Sequence, residues 1–103
     1  MNVRFNIDDC RIQWSRHAKS RRPAILLVNA RAPGDVVAVA TLDLPDVDLA
    51  EGEVAIQDVG PSAGVLDALM DAGVVSAPVR LIEHDEQQIP ICLLRVDAEN
   101  DAD

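Results

Sequence analysis

EVAIQDVGPSAGVLDALMDAGVV, residues 53–75, is the stretch in which a strand pattern, a helix start, a helix stop and a return to strand follow one another. Val54, Ala55 and Ile56 form a short apolar run that ends at Asp58. Gly60-Pro61 breaks it just before Ser62, whose hydroxyl suits an N-cap. Over residues 63–72 the apolar side chains Val65, Leu66, Leu69 and Met70 recur at the spacing of one helical face, while Asp67 and Asp71 stand one turn apart on another. Gly73 supplies the left-handed residue that closes a helix, and Val74 falls where a closing contact to Leu69 belongs. The expectation is a short amphipathic helix over 63–72, about three turns long, packed by one face on a sheet.

Outward from this stretch the chain reads as antiparallel strand. Val3, Phe5 and Ile7 alternate with Arg4, Asn6 and Asp8. After a turn near Asp8-Asp9, Cys10, Ile12 and Trp14 alternate with Arg11, Gln13 and Ser15, which makes a first hairpin. SRHAKSRRP, residues 15–23, is basic and aperiodic and reads as an exposed loop. Residues 24–30 are almost wholly apolar, as expected of a strand in the middle of a sheet. Pro33-Gly34 suits a type II turn. Residues 35–44 then return as a strand with Val36, Ala38, Ala40, Leu42 and Leu44 on one face and Val37, Val39, Thr41 and Asp43 on the other.

PDVDLAEGE, residues 45–53, is an acidic connection. Beyond the helix, Ser76-Ala77-Pro78 turns the chain into a strand over 79–83. His84, Asp85, Glu86 and Gln87 form a polar turn, and a last strand covers 89–96. Pro90 cannot donate to a ladder, so that strand is expected to start at, or lie along, a sheet edge. The fold class is therefore α+β, a mainly antiparallel sheet built from hairpins with one short helix on it. A single domain is expected over 1–97, with a frayed acidic tail over 98–103.

At 103 residues and 49% hydrophobic, the chain is one domain with a core of its own. Phe5 and Trp14 are its only aromatics, so Val, Leu, Ile and Ala must fill the core, and a base-stacking platform is missing. There is no apolar run of the roughly 18 residues a membrane span needs, and MNVRFNIDDC does not read as a signal peptide, so a cytoplasmic location is expected. Cys10 and Cys92 are then expected to be reduced and structural. The net charge of −9 is unevenly spread. Residues 1–34 carry seven basic against two acidic groups, and the remainder two basic against sixteen acidic.

From residue 24 onward the order of motifs resembles a family of small uncharacterised bacterial proteins often encoded on phages, plasmids and other mobile elements. The motifs are a strand ending in TLDLPD, then GEVAIQD, then GVLDALMDAGVV, and finally IPICLL. Gly60-Pro61-Ser62-Ala63 departs from that family, which tends to carry acidic and asparagine residues there. The resemblance implies a fold and a genomic setting and supplies no catalytic residue.

Gly60-Pro61-Ser62-Ala63-Gly64 fits G-x-S-x-G between a strand and a helix, and His84 and Asp85 follow, so a triad can be written down. A nucleophile elbow, however, needs a parallel sheet with crossover helices, and this chain is built of hairpins. Cys10, His17, His84 and Cys92 lack the close pairing typical of zinc ligands, so neither metal nor cofactor is expected. The basic residues Arg16, Lys19, Arg21 and Arg22 suit phosphate contacts, but the total charge opposes nucleic-acid binding.

The expected function is that of a non-enzymatic acidic binding protein. Asp43, Asp46, Asp48, Glu51, Glu53, Asp67 and Asp71 would face a basic protein partner, such as a nucleic-acid-binding host or defence protein that a mobile element inhibits. A homodimer through an edge strand is compatible with this, and the alternative is a small serine hydrolase using Ser62 and His84.

Overall fold

A computed structural model describes residues 2–6, 8–32 and 34–96. Ile7 in the first hairpin, Pro33 in the second turn and the acidic tail lie outside them. The chain is α+β, with antiparallel strands in two sheets and one short helix.

The first sheet is a meander of β1 (Asn2–Phe5), β2 (Asp8–Arg16), β3 (Pro23–Asn29) and β4 (Val36–Val39), paired in that order. Phe5 pairs with Asp8, so the chain reverses between them and Asp8 and Asp9 belong to β2, not to the turn the alternation suggested. β3 is interior and largely buried on both faces, in keeping with its apolar composition.

β4 departs from the expected ten-residue alternation. A register shift opposite Leu27 and Val28 leaves Val36 exposed, and the strand ends at Val39. The chain then crosses to the second sheet. The Ala40 N–H donates to the Ile25 carbonyl of β3, while the Ala40 carbonyl accepts from Gln57 and the Leu42 N–H donates to Ala55. Three main-chain hydrogen bonds, made by Ala40 and Leu42, thus tie the crossing segment to both sheets.

The second sheet has the order β5-β7-β6, from β5 (Glu53–Ala55), β6 (Arg80–His84) and β7 (Gln87–Leu93). One of its faces joins the main core, where Val54, Ile56 and Cys92 meet Ile25, Leu27 and Ala40 of the first sheet. Its other face carries Ala55, Ile89 and Ile91, covered by Leu44 together with Leu42, Val47 and Leu49. The acidic connection is therefore also a lid, because its aspartates alternate with apolar residues that pack.

Pro90 lies in the central strand by sheet order, so the edge expectation is corrected in part. Its carbonyl accepts the Ile56 N–H at 3.0 Å, which aims its own hydrogen-free nitrogen at the same residue. Ile56 is where the β5 ladder stops, since only Glu53 to Ala55 pair with β7. Proline is tolerated because that side of β7 becomes an edge there.

The helix α1 (Val65–Asp71) has seven residues, shorter than expected. Ser62 is not its cap. Residues Gly60–Ser62 form a 3₁₀ turn, Gly64 stands at the N-cap with φ of 94°, and the Asp58 carboxylate accepts the Gly64 N–H at 2.7 Å. At the other end Gly73 has φ of 76°, its N–H donates to Met70, and the Val74 N–H reaches back to Leu69. That is a Schellman closure with Leu69 and Val74 both fully buried.

Candidate functional site

The loop between β2 and β3 is exposed at Ala18, Lys19 and Arg21, in keeping with its basic, aperiodic sequence, and its remaining residues fold onto the segment that leads into the acidic connection. His17 Nε2 lies 2.9 Å from Thr41 Oγ1, and that hydroxyl oxygen also accepts the Ile25 N–H at 3.1 Å. The side chain of Thr41 replaces the ladder carbonyl that β3 loses when the chain crosses to the second sheet. Thr41 is buried for this reason, a role that strand alternation, which groups it only with Val37, Val39 and Asp43, does not reveal.

Asp43 accepts the backbone N–H groups of Lys19 and Ser20, each at 3.0 Å. Arg22 donates to the carbonyls of Leu44 at 2.8 Å and Val47 at 2.6 Å. The charge asymmetry of the linear chain is thus partly closed by folding. Arg16, Arg21 and Arg22 share a depression of about 630 Å³ with Leu49 and Glu51.

The expected partner-facing carboxylates divide into two groups. Asp43 is committed as above. Desolvation raises its pKa, but hydrogen bonds from Ser20 and the loop amides outweigh this and hold it below its ordinary value. Glu53 is likewise committed. It pairs with Arg80 at 2.7 Å and accepts the Ala50 N–H, and its pKa is lowered first by the Arg80 hydrogen bond. The second group, Asp46, Asp48, Glu51, Asp67 and Asp71, is exposed and forms no ion pair among the described residues.

Ser62 and His84 are not joined by a hydrogen bond. The Ser62 hydroxyl is buried and donates to the Val39 carbonyl at 3.0 Å, tying the 3₁₀ turn to β4. His84 Nδ1 lies 3.5 Å from the Asp85 carboxylate at the β6–β7 turn. Cys10 and Cys92 are both free thiols with no exposure. Burial raises the pKa of each, that of Cys92 to about 11, which keeps both in the unreactive thiol form. Among the described residues no three His, Cys, Asp or Glu side chains cluster as metal ligands, and no helix is long and apolar enough to cross a membrane.

One feature was missed from sequence. Where β5 stops and β7 continues, residues 56–59 and 87–90 diverge and leave a cleft of about 330 Å³ with Leu42 in its wall. Pro90 and the two glutamines before it were the available signal, but only the strand order shows that they face an empty slot.

Fold and surface define a small α+β protein with two buried free thiols and, among the described residues, several exposed carboxylates outside any ion pair. No protein family, curated protein or solved structure matches the chain.

Proposed function

We propose that the protein is a non-enzymatic binding protein whose exposed carboxylates engage a basic protein partner. The supporting observation is the build of the 46–51 loop. Leu44, Val47 and Leu49 pack on the second sheet, so Asp46 and Asp48, interleaved with them, are held outward on an anchored segment. A loop ordered before binding loses little conformational entropy on association, and unpaired carboxylates attract the arginines and lysines that otherwise contact phosphates. Asp67 and Asp71 add a second acidic surface on α1. A nucleic-acid-binding host or defence protein fits this chemistry, in line with the mobile-element resemblance.

The serine hydrolase alternative has no specific observation in its favour, and labelling with a serine-reactive probe tests it directly. Homodimerisation through the outer edge of β6, where Leu81 is 59% exposed, is compatible with the acidic surface being used elsewhere. Capture from a lysate of the native cell at low and high salt tests the main reading. Basic proteins retained at low salt and released as salt rises support it, and retention indifferent to salt contradicts it.

A further inference from the structure

We propose that the cleft beside Pro90 receives an extended basic segment of the partner, which adds to β7 as a short strand. This rests on the reading above that the partner is basic.

The main-chain geometry provides the slot. In β7, Ile91 faces β6, because its carbonyl accepts the Val79 N–H at 2.8 Å, and Pro90 faces β5 through Ile56. Antiparallel main chains alternate sides, so Gln88 also turns its N–H and C=O away from β6. β5 would have to continue as strand to Asp58 to meet them, and it does not: its pairing with β7 ends at Ala55, and the Ile56 N–H on the Pro90 carbonyl is the last bond across. Gln88, which stands opposite Glu83 on the β6 side, thus has no strand partner on its other side, at the cleft. An added strand recovers those bonds, as in β-augmentation generally, and Leu42, on the same face of the sheet as Ile89, offers an apolar wall for alternate side chains.

Charge selects the occupant. Among the described residues no Lys or Arg lines the cleft, whereas Asp58 does. Glu83 pairs across from Gln88, and the turn preceding Gln87 is Asp85-Glu86. That turn holds φ of 50° and 65° at two residues that are not glycine, so the acidic pair occupies a position where Asn-Gly would relieve strain.

The test uses a short synthetic peptide of alternating valine and lysine, its valine–glutamate counterpart, and a valine–lysine peptide N-methylated along one edge. Binding is followed by calorimetry and by hydrogen exchange at the Gln88 amide. The expected result is binding of the unmodified lysine peptide alone, with slowed exchange at Gln88. Methylation of the pairing edge, or Gln88→Pro, should weaken binding about tenfold, as the loss of main-chain hydrogen bonds implies. Gln88→Pro deletes only an N–H that points away from β6, and should it fail to fold, the methylated peptide gives the same answer. Binding that survives both changes, or no binding by either peptide, overturns the cleft assignment. Lysine-peptide binding lost on reversing Asp46, Asp48 and Glu51 but unchanged by Gln88→Pro overturns the cleft while sustaining the acidic-surface function.

Discussion

His17 Nε2 and Thr41 Oγ1, 24 positions apart in the chain, meet at 2.9 Å at the point where the backbone leaves one sheet for the other. Because Thr41 Oγ1 already accepts from Ile25, all three groups are satisfied when the hydroxyl donates to a neutral imidazole. Thr41→Val keeps the shape and removes the hydroxyl, leaving the Ile25 N–H buried without an acceptor. The expected loss is about 1–3 kcal/mol, with Thr41→Ser losing less, by urea denaturation. Equal stability of Thr41→Val and wild type would show that the crossover does not depend on this hydroxyl.

The same contact sets a pH dependence. Burial lowers the His17 pKa from its ordinary 6.5, with Asp43 opposing and Arg22 reinforcing the shift. The folded state therefore holds its proton less tightly than the unfolded chain. The stabilisation is fully present above about pH 6.5 and declines as pH falls through the lower folded value. His17→Gln should flatten this decline, whereas the further loss below about pH 4, from the depressed Asp43 and Glu53, should persist. A wild type whose stability rises as pH drops from 7 to 5 would contradict the assignment.

Asp85 and Glu86 occupy the two central positions of the β6–β7 turn with positive φ. Glu86→Gly removes side-chain strain of about 1–2 kcal/mol, offset in part by the greater freedom of glycine when unfolded. A rise in melting temperature is expected, and a fall would mean that Glu86 makes a stabilising contact.

Arg22 and Arg21 are neighbours with unequal roles. Arg22→Ala loses two charge-assisted bonds to Leu44 and Val47 and should destabilise by about 1.5–3 kcal/mol. Arg21, exposed and at φ of 64°, should tolerate glycine without loss. Equal effects would indicate that the loop does not hold the acidic connection.

The fold class and the helix C-terminus were legible because their signals are local: strand alternation, and Gly73 followed by Val74. The helix start was misplaced because Ser62 has its partner in Val39, far back in the chain, while the bond to the first turn comes from Asp58. Thr41 reads as an ordinary member of a strand face, since nothing nearby in sequence reveals that it ends a ladder. Counting charge along the chain separated a basic end from an acidic one, yet Lys19 and Ser20 amides on Asp43, and Arg22 on Leu44 and Val47, fold the two together. Of the seven carboxylates read as partner-facing, Asp43 and Glu53 turned out to hold the structure.

The central claim is that anchored, unpaired carboxylates steer a basic partner, and the direct measurement is the association rate of the captured partner with Asp46→Lys/Asp48→Lys/Glu51→Lys across a salt series. Reversing exposed loop charges should leave the melting temperature nearly unchanged, slow association at low salt, and flatten its salt dependence, since screening shortens from about 10 Å at 0.1 M to 3 Å at 1 M. An unchanged rate and salt slope in a variant that melts with the wild type would contradict the account.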